Sequence, residues 1–348
     1  MPSANARETP SRTLRGTGLR HSDDRQPGIS RQRAGRGFRY VDSAGAPVRD
    51  GAVLERIRRL AIPPAYTEVW ICARADGHLQ ATGRDARGRK QYRYHPDWVR
   101  QRGADKFARI LAFGRALPAL RGKLRRHLAL PGLPRDKVLA LVVTVMGRTY
   151  ARIGNDAYAR SNHSYGLTTL CNRHLHLCAG ARAEMRFAGK SGRSQHLRID
   201  DRRLVALIRR CHDLPGKPLF QYRDDAGRVR PVDSGDVNAY LKRLTGSDFT
   251  AKDFRTWGAT LTAMIELARL PVPADADERT LAPLRNRVVA AVAATLGNTP
   301  AVCRKSYIDP RVFRAWQDGA LRPLRALRGI RQCERAALKV LKACPAPR

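Results

Sequence analysis

Four scattered stretches carry side chains suited to handling a phosphodiester. Arg152 lies in Tyr150-Ala-Arg152-Ile-Gly154-Asn-Asp-Ala-Tyr158, and Lys190 in the turn Gly189-Lys190-Ser191-Gly192. Arg255 lies in Lys252-Asp-Phe-Arg255-Thr-Trp-Gly258, and Tyr307 closes Gly297-Asn298-Thr-Pro300-Ala-Val-Cys-Arg-Lys-Ser-Tyr307. Fixed guanidiniums stabilise charge that builds up on phosphate oxygens, and a phenol can serve as a nucleophile. Among 56 arginines, however, any two prove nothing by count, and each cation here also reads as an ordinary ion pair or surface group. Spacing alone does not single them out.

A fifth stretch, Gly83-Arg-Asp-Ala-Arg-Gly-Arg89-Lys90-Gln91-Tyr92-Arg93-Tyr94-His95, packs five cations together and ends with Gln91, Tyr92 and Tyr94. Cations neutralise phosphates, while glutamine and tyrosine reach base edges or stack. On a strand Tyr92 and Tyr94 share one face and Arg93 takes the other. A solvated basic turn with inward-packed tyrosines fits this stretch equally well.

Other chemistries fail on spacing. Cys171-Asn-Arg-His174-Leu-His176-Leu-Cys178 has ligand types for zinc, yet it alternates like a strand end and no second cluster completes a site. Gly189-Lys190-Ser191 resembles the end of a phosphate-binding loop, but Glu184 stands where that loop needs glycine. With only 30 acidic residues, a magnesium nuclease is disfavoured, because hard cations need oxygen ligands. We therefore expect no metal and no cofactor.

The chain as a whole is strongly basic: 67 Lys+Arg against 30 Asp+Glu in 348 residues, a net charge of +37. Such a charge repels itself unless an anionic polymer is the partner, and nucleic acid comes first. At 43% hydrophobic, the chain has enough apolar residues for real cores. Its longest strongly apolar run, Val138–Met146, is far short of the ~20 residues that span a bilayer. No apolar signal segment precedes the body, and seven cysteines without a C-x-x-C pair suit a reducing compartment, so a cytoplasmic location is expected.

These residues must be positioned by two kinds of element. Residues 1–18 read as a flexible basic leader. From 19 to 100, short alternating runs broken by Gly and Asp predict a small antiparallel β domain, interrupted by one helix from Gly51 to Leu60. From 101 to 317 the periodicity is mostly helical, with helices expected at 137–148, 201–212, 234–245, 253–268 and 285–297. Glu184–Ile199 reads as a β-hairpin around Gly189–Gly192, and 318–348 as a basic helical tail, the end of one or two amphipathic helices over 311–342. The expected fold class is α+β: a β-rich N-terminal domain and a larger helical domain with a small sheet.

Taken together, these stretches resemble the type IB DNA topoisomerases, in particular the small poxvirus-like bacterial group. The likeness runs from Leu19-Arg20-His21 to Arg314 and includes Ile62-Pro-Pro-Ala-Tyr66, Thr82 through Tyr94, Arg152-Ile-Gly154, Gly166-Leu-Thr-Thr-Leu170, Gly189-Lys190, Phe254-Arg-Thr-Trp-Gly258 and Asn298-Thr-Pro300 to Tyr307. The resemblance implies that Tyr307 is the nucleophile, forming a 3′-phosphotyrosine and releasing a 5′-hydroxyl. It implies that Arg152 and Arg255 grip the non-bridging oxygens and that Lys190 protonates the departing oxygen. A free phenol has a pKa of about 10, so such a nucleophile needs cations around it. Lys252 matches a further cation near the phosphate, and Arg89, Lys90, Gln91, Tyr92 and Tyr94 match the DNA-contacting strand of a clamp around the duplex. Many members of the wider family have histidine where this chain has Asn298. Asparagine can donate to a phosphate oxygen but cannot titrate, so the implied role is oxyanion stabilisation.

The implied activity is relaxation of supercoiled double-stranded DNA without ATP, by a monomer, in the bacterial nucleoid. Tyrosine recombinases share this kind of constellation, but they usually carry histidine where Lys252 stands and a helical N-terminal module. A non-catalytic DNA-packaging protein would account for the charge alone.

Overall fold

The computed structural model describes Leu14 and residues 18–86, 88–273 and 277–344. It divides into two units, Met1–Lys106 and Phe107–Arg348. The leader expected over 1–18 lies outside the described residues apart from Leu14 and Gly18, as does Arg87 of the basic stretch.

The first unit is built on β1 (Gly28–Ala34), β2 (Gly37–Val41), β3 (Thr67–Cys72), β4 (Leu79–Arg84) and β5 (Lys90–Tyr94), with helix α1 (Gly51–Arg59) between β2 and β3. The strands form one antiparallel sheet in the order β2-β1-β3-β4-β5. Ile29, Val69, Ile71 and Ala81 make its small core with Ile57 of α1. Asp50 caps α1 by accepting from the Ala52 and Val53 amides, and Arg56, Arg58 and Arg59 occupy its last turn, where cations suit the helix dipole. Arg56 also donates to Gln80 at 2.6 Å and to the Cys72 carbonyl at 2.8 Å, tying α1 to the sheet.

In the second unit, α2 (Pro96–Leu128, whose first turns precede the division) and α3 (Arg135–Thr149) lead to the short α4 (Asp156–Asn162). Strands β6 (Leu175–Cys178), β7 (Arg182–Ala188) and β8 (Ser194–Ile199) form an antiparallel sheet. They are followed by α5 (Arg202–His212), the small hairpin β9 (Gln221–Arg223) and β10 (Val229–Pro231), and α6 (Ser234–Thr245). The rest is helical: α7 (Ala251–Ala268), α8 (Glu278–Leu296), α9 (Pro300–Ser306), α10 (Arg311–Gln317) and α11 (Ile330–Ala343). In α3 every residue from Lys137 to Val143 is buried, with Val145 and Met146, which marks it as a central helix enclosed on all sides.

The structure departs from the sequence expectation at proline. Helix α8 begins at Glu278, well before the expected 285, because Asp277 caps it through the Thr280 amide at 2.9 Å and Pro283 is accommodated inside it. Helix α2 also contains a proline, Pro118. The basic region 311–342 breaks at a 3-10 turn, Arg322–Ala326, between α10 and α11. Helix α11 buries Cys333, Glu334, Ala337 and Leu341, and Arg121 of α2 holds Glu334 through two bonds of 2.5 and 2.7 Å. The hairpin β9–β10 and strand β1 had no sequence expectation of their own.

Candidate active site

The Cys171–Cys178 stretch is local scaffolding: the His174 Nδ1 accepts from the Cys171 amide at 2.9 Å and the chain then enters β6. Among the described residues, no group of three or more His, Cys, Asp or Glu side chains is placed to hold a metal ion, and no helix is long and apolar enough to cross a membrane.

The site begins where α3 ends. Tyr150 caps that helix in the left-handed region, φ 53°, which turns the chain sharply. Its carbonyl thereby accepts from Arg255 Nη1. The following segment is pinned by Gly166–Thr168: the Leu167 amide donates to the Arg152 carbonyl at 2.9 Å and the Thr168 amide to the Ile153 carbonyl at 2.7 Å. A Cβ on Gly166 would sit 2.5 Å from the Gly154 nitrogen, and Gly154 itself adopts φ 112°, so both positions call for glycine where the two backbones meet. This is the physical content of Arg152-Ile-Gly154 and Gly166-Leu-Thr-Thr-Leu170.

Arg255 stands in the first turns of α7, and only 4% of it is exposed. Its Nη2 donates to the Leu296 carbonyl at 2.8 Å, and its guanidinium carbon lies 5.2 Å from the centroid of the Tyr307 ring. Burial pushes its pKa below the ordinary value, while the charge and hydrogen bonding of the Tyr307 phenol oppose that shift. Gly297, φ 60°, ends α8 and passes the chain to Asn298, which is buried. Asn298 Oδ1 accepts from Arg152 Nη2. Burial lowers the Arg152 pKa, with the charges of Arg255 and Arg193 acting in the same direction and Tyr307 against them. Thr299 then caps α9 through the Val302 amide, and Tyr307 terminates that helix.

Tyr307 is fixed from behind. Its carbonyl accepts from the Thr260 hydroxyl at 3.2 Å, and the same hydroxyl accepts from the Asp309 amide at 3.2 Å. Asp309 is fully buried and pairs with the buried Arg311 at 2.6 Å. Arg311 in turn donates to the Leu341 carbonyl at 2.9 Å and the Phe107 carbonyl at 3.2 Å. Burial raises the thiol of Cys303, four residues before Tyr307, to about 11, which keeps it protonated and inert.

Arg152, Arg255, Asn298 and Tyr307 are thus linked to one another. Lys190 is exposed in the turn between β7 and β8, a short 3-10 segment in which Ser191 and Gly192 have φ of 63° and 73°. That turn reaches the group through Arg193, whose Nη1 donates to the Asn298 carbonyl at 2.9 Å. Lys252 is exposed on the first turn of α7. Sequence reasoning missed Arg193, the Tyr150 carbonyl and Gly258, a glycine whose role appears only when the Tyr150 ring is seen against it.

The group's electrostatics set it apart. The buried arginines Arg311 and Arg285 pair with the carboxylates of Asp309 and Glu278. Among the described residues, no such carboxylate partner is found for the buried Arg255 or the half-buried Arg152. Arg255 Nε and Asn298 Nδ2 are moreover buried donors with no acceptor. Leaving a buried donor unmet costs about 1–3 kcal/mol, and a buried charge without a counter-ion costs more. An anion with several oxygens has the acceptors that the Arg255 Nε and the Asn298 Nδ2 lack.

The other expected contact residues belong to the first unit. Arg89 pairs with Asp85 at 2.7 Å, Lys90 with Asp24, and Gln91 donates to Asp85 at 2.9 Å. Tyr92 and Tyr94 are 50% and 41% exposed on the edge strand β5 and stack on each other, with ring centroids 6.1 Å apart. They share one face, as strand alternation requires, and are not packed inward. Arg93 reaches instead to the Ala61 carbonyl at 3.2 Å.

Comparison with known proteins places these features in context. Residues 90–320 match the family described as the eukaryotic DNA topoisomerase I catalytic core, and residues 37–85 match the bacterial DNA topoisomerase IB N-terminal domain. The DNA topoisomerase 1B of Acanthamoeba polyphaga mimivirus is 32% identical over 301 residues, covering 84% of this chain and 88% of the viral one. The DNA topoisomerase 1B of vaccinia virus (strain Copenhagen) is 21% identical over 284 residues, covering 77% and 83%.

Proposed function

Since the chain belongs to the type IB DNA topoisomerases, we propose that it relaxes supercoiled duplex DNA without ATP or metal, through a transient single-strand break held as a 3′-phosphotyrosine on Tyr307. The observation that carries this reading is the buried Arg255, which faces the Tyr307 ring at 5.2 Å and for which no carboxylate partner is found among the described residues.

In the forward step the Tyr307 Oη–phosphorus bond forms as the bond to the 5′-oxygen breaks. The phenolic proton passes to water, and Lys190 delivers a proton to the departing oxygen. Arg152, Arg255 and the Asn298 amide take up the charge that gathers on the non-bridging oxygens, a task rigid donors perform with little reorganisation. Lys252 adds positive charge beside them. The cut strand then swivels, and attack by the 5′-hydroxyl runs the step backwards. The phosphotyrosine conserves the energy of the broken bond, so no nucleotide hydrolysis is required. Arg89, Lys90, Gln91, Tyr92 and Tyr94 of the first unit bind the duplex through phosphates and groove edges. The same reading has the protein working as a monomer on DNA of the bacterial nucleoid.

The test is plasmid relaxation in EDTA without ATP, comparing the natural protein with Tyr307→Phe. Relaxation of both positive and negative supercoils, lost in the variant while DNA binding persists, supports the proposal. Binding without relaxation by either protein overturns it.

A further inference from the structure

One exposed side chain joins the Lys190 turn to the loop that carries Asn298. Arg193 Nη1 donates to the Asn298 carbonyl at 2.9 Å, and the Arg193 carbonyl accepts from the Gly189 amide at 2.7 Å. The second bond closes the turn in which Lys190 sits. Two residues further on, Gln195 packs against Gly297 so closely that a Cβ on that glycine would lie 2.6 Å from the Gln195 amide nitrogen. The hairpin therefore meets the Gly297–Asn298 segment at two adjacent points.

The turn itself needs such a hold. Ser191 and Gly192 both adopt left-handed backbone, which is unfavourable for the serine, and Gly189 to Gly192 are bridged by a single further bond of 3.0 Å. A lysine on an exposed turn of this kind has many available positions, and fixing it near one phosphate oxygen requires an external tie.

We propose that Arg193 is a positioning residue: it fastens the Lys190 turn to the Asn298 loop, so that proton donor and oxyanion donors meet the phosphate as one preassembled unit. The proposal rests on Lys190 being the proton donor. It assigns Arg193 no contact with the phosphate. Its side chain already donates to a backbone carbonyl, and its charge adds to the field around Arg152.

The chemistry of the leaving group separates this role from direct phosphate binding. An ordinary 5′-oxygen must be protonated as it departs, whereas a bridging 5′-sulfur leaves as a stable thiolate and needs no acid. Single-turnover formation of the covalent adduct is measured on a duplex with a mapped cleavage site, in oxygen and sulfur versions. The proteins are the natural one, Arg193→Ala, Arg193→Lys, Lys190→Ala and Arg255→Ala.

With oxygen, Arg193→Ala slows cleavage about tenfold, the worth of one charge-assisted bond near a surface. With sulfur it returns to near the natural rate, as Lys190→Ala does and Arg255→Ala does not, and Arg193→Lys recovers part of the oxygen rate. Arg193→Ala that is equally slow on both substrates, or fully active on oxygen, overturns the coupling. Lys190→Ala left unrescued by sulfur overturns the assignment of Lys190 instead, and does so without reference to any Arg193 variant.

Discussion

Gly258 lies against the ring of Tyr150, so close that a Cβ on Gly258 would fall 2.2 Å from Tyr150 Cε1. Because the Tyr150 carbonyl accepts from Arg255, one turn earlier on α7, the spacing Arg255-Thr-Trp-Gly258 couples a packing requirement to the arginine proposed to grip the phosphate. Gly258→Ala must displace the tyrosine. We expect a loss of about 1–3 kcal/mol, seen as a fall of several degrees in melting temperature, together with slower cleavage at saturating DNA. A variant as stable and as fast as the natural protein would remove this relationship from the account.

Asn298 offers a second discrimination. Its Oδ1 accepts from Arg152 and its buried Nδ2 has no acceptor. Asn298→Ala forfeits both groups, and cleavage is expected to drop about a hundredfold, the usual consequence of deleting one oxyanion donor. Asn298→Asp keeps the acceptor for Arg152 but places a negative charge beside the phosphate, so it should be the slower of the two. The two single-turnover rates decide the matter, and the opposite ranking would contradict the donor role.

Acid should loosen the hairpin that presents Lys190. Glu184 on β7 is bound by Arg186 at 2.7 Å and by His196 at 2.9 Å, and those bonds hold its carboxyl at about 2 against an ordinary 4.5. A lowered folded-state pKa stabilises above the unfolded value and loses its effect as pH falls through the folded one. The natural protein should thus outmelt Glu184→Gln at neutral pH, with the difference shrinking from about pH 4.5 down to about pH 2. Melting curves at stepped pH test this, and a pH-independent difference would exclude the carboxylate as its source.

Contacts of the first unit divide by their response to salt. If Lys90 neutralises a phosphate as proposed, Lys90→Ala should make the slope of log affinity against log salt shallower by up to about 1. Tyr92→Ala removes exposed aromatic surface and should weaken binding by about 1 kcal/mol, roughly fivefold, at every salt concentration with the slope unchanged. Filter binding across a salt series distinguishes the two, and identical behaviour would dissolve the division.

Sequence patterns anticipated the elements whose signals are local. Alternation around Gly189–Gly192 marked the β7–β8 hairpin, and the helix expected at 137–148 is α3, whose apolar run Val138–Met146 is almost wholly buried. They failed at the start of α8, expected at 285 but set at Glu278 with Pro283 retained inside the helix. Arg152, Lys190, Arg255 and Tyr307 were named through family resemblance, since one arginine among 56 carries no distinguishing mark. Arg193 could not be found that way. Its significance is a single bond to a backbone carbonyl 105 residues distant, which no spacing encodes.

The anchorage behind Tyr307 has a mechanical meaning. A strand attached to that phenol would pull on it whenever the duplex rotates. The tension would pass from the Tyr307 carbonyl through the Thr260 hydroxyl into α7, and along Asp309 and Arg311 to the carbonyls of Leu341 and Phe107. A helix near the end of the chain and a helix near the start of the second unit would then share the load. On this view α11 is ballast: it touches no reacting atom, yet it keeps the attachment point still while the DNA turns.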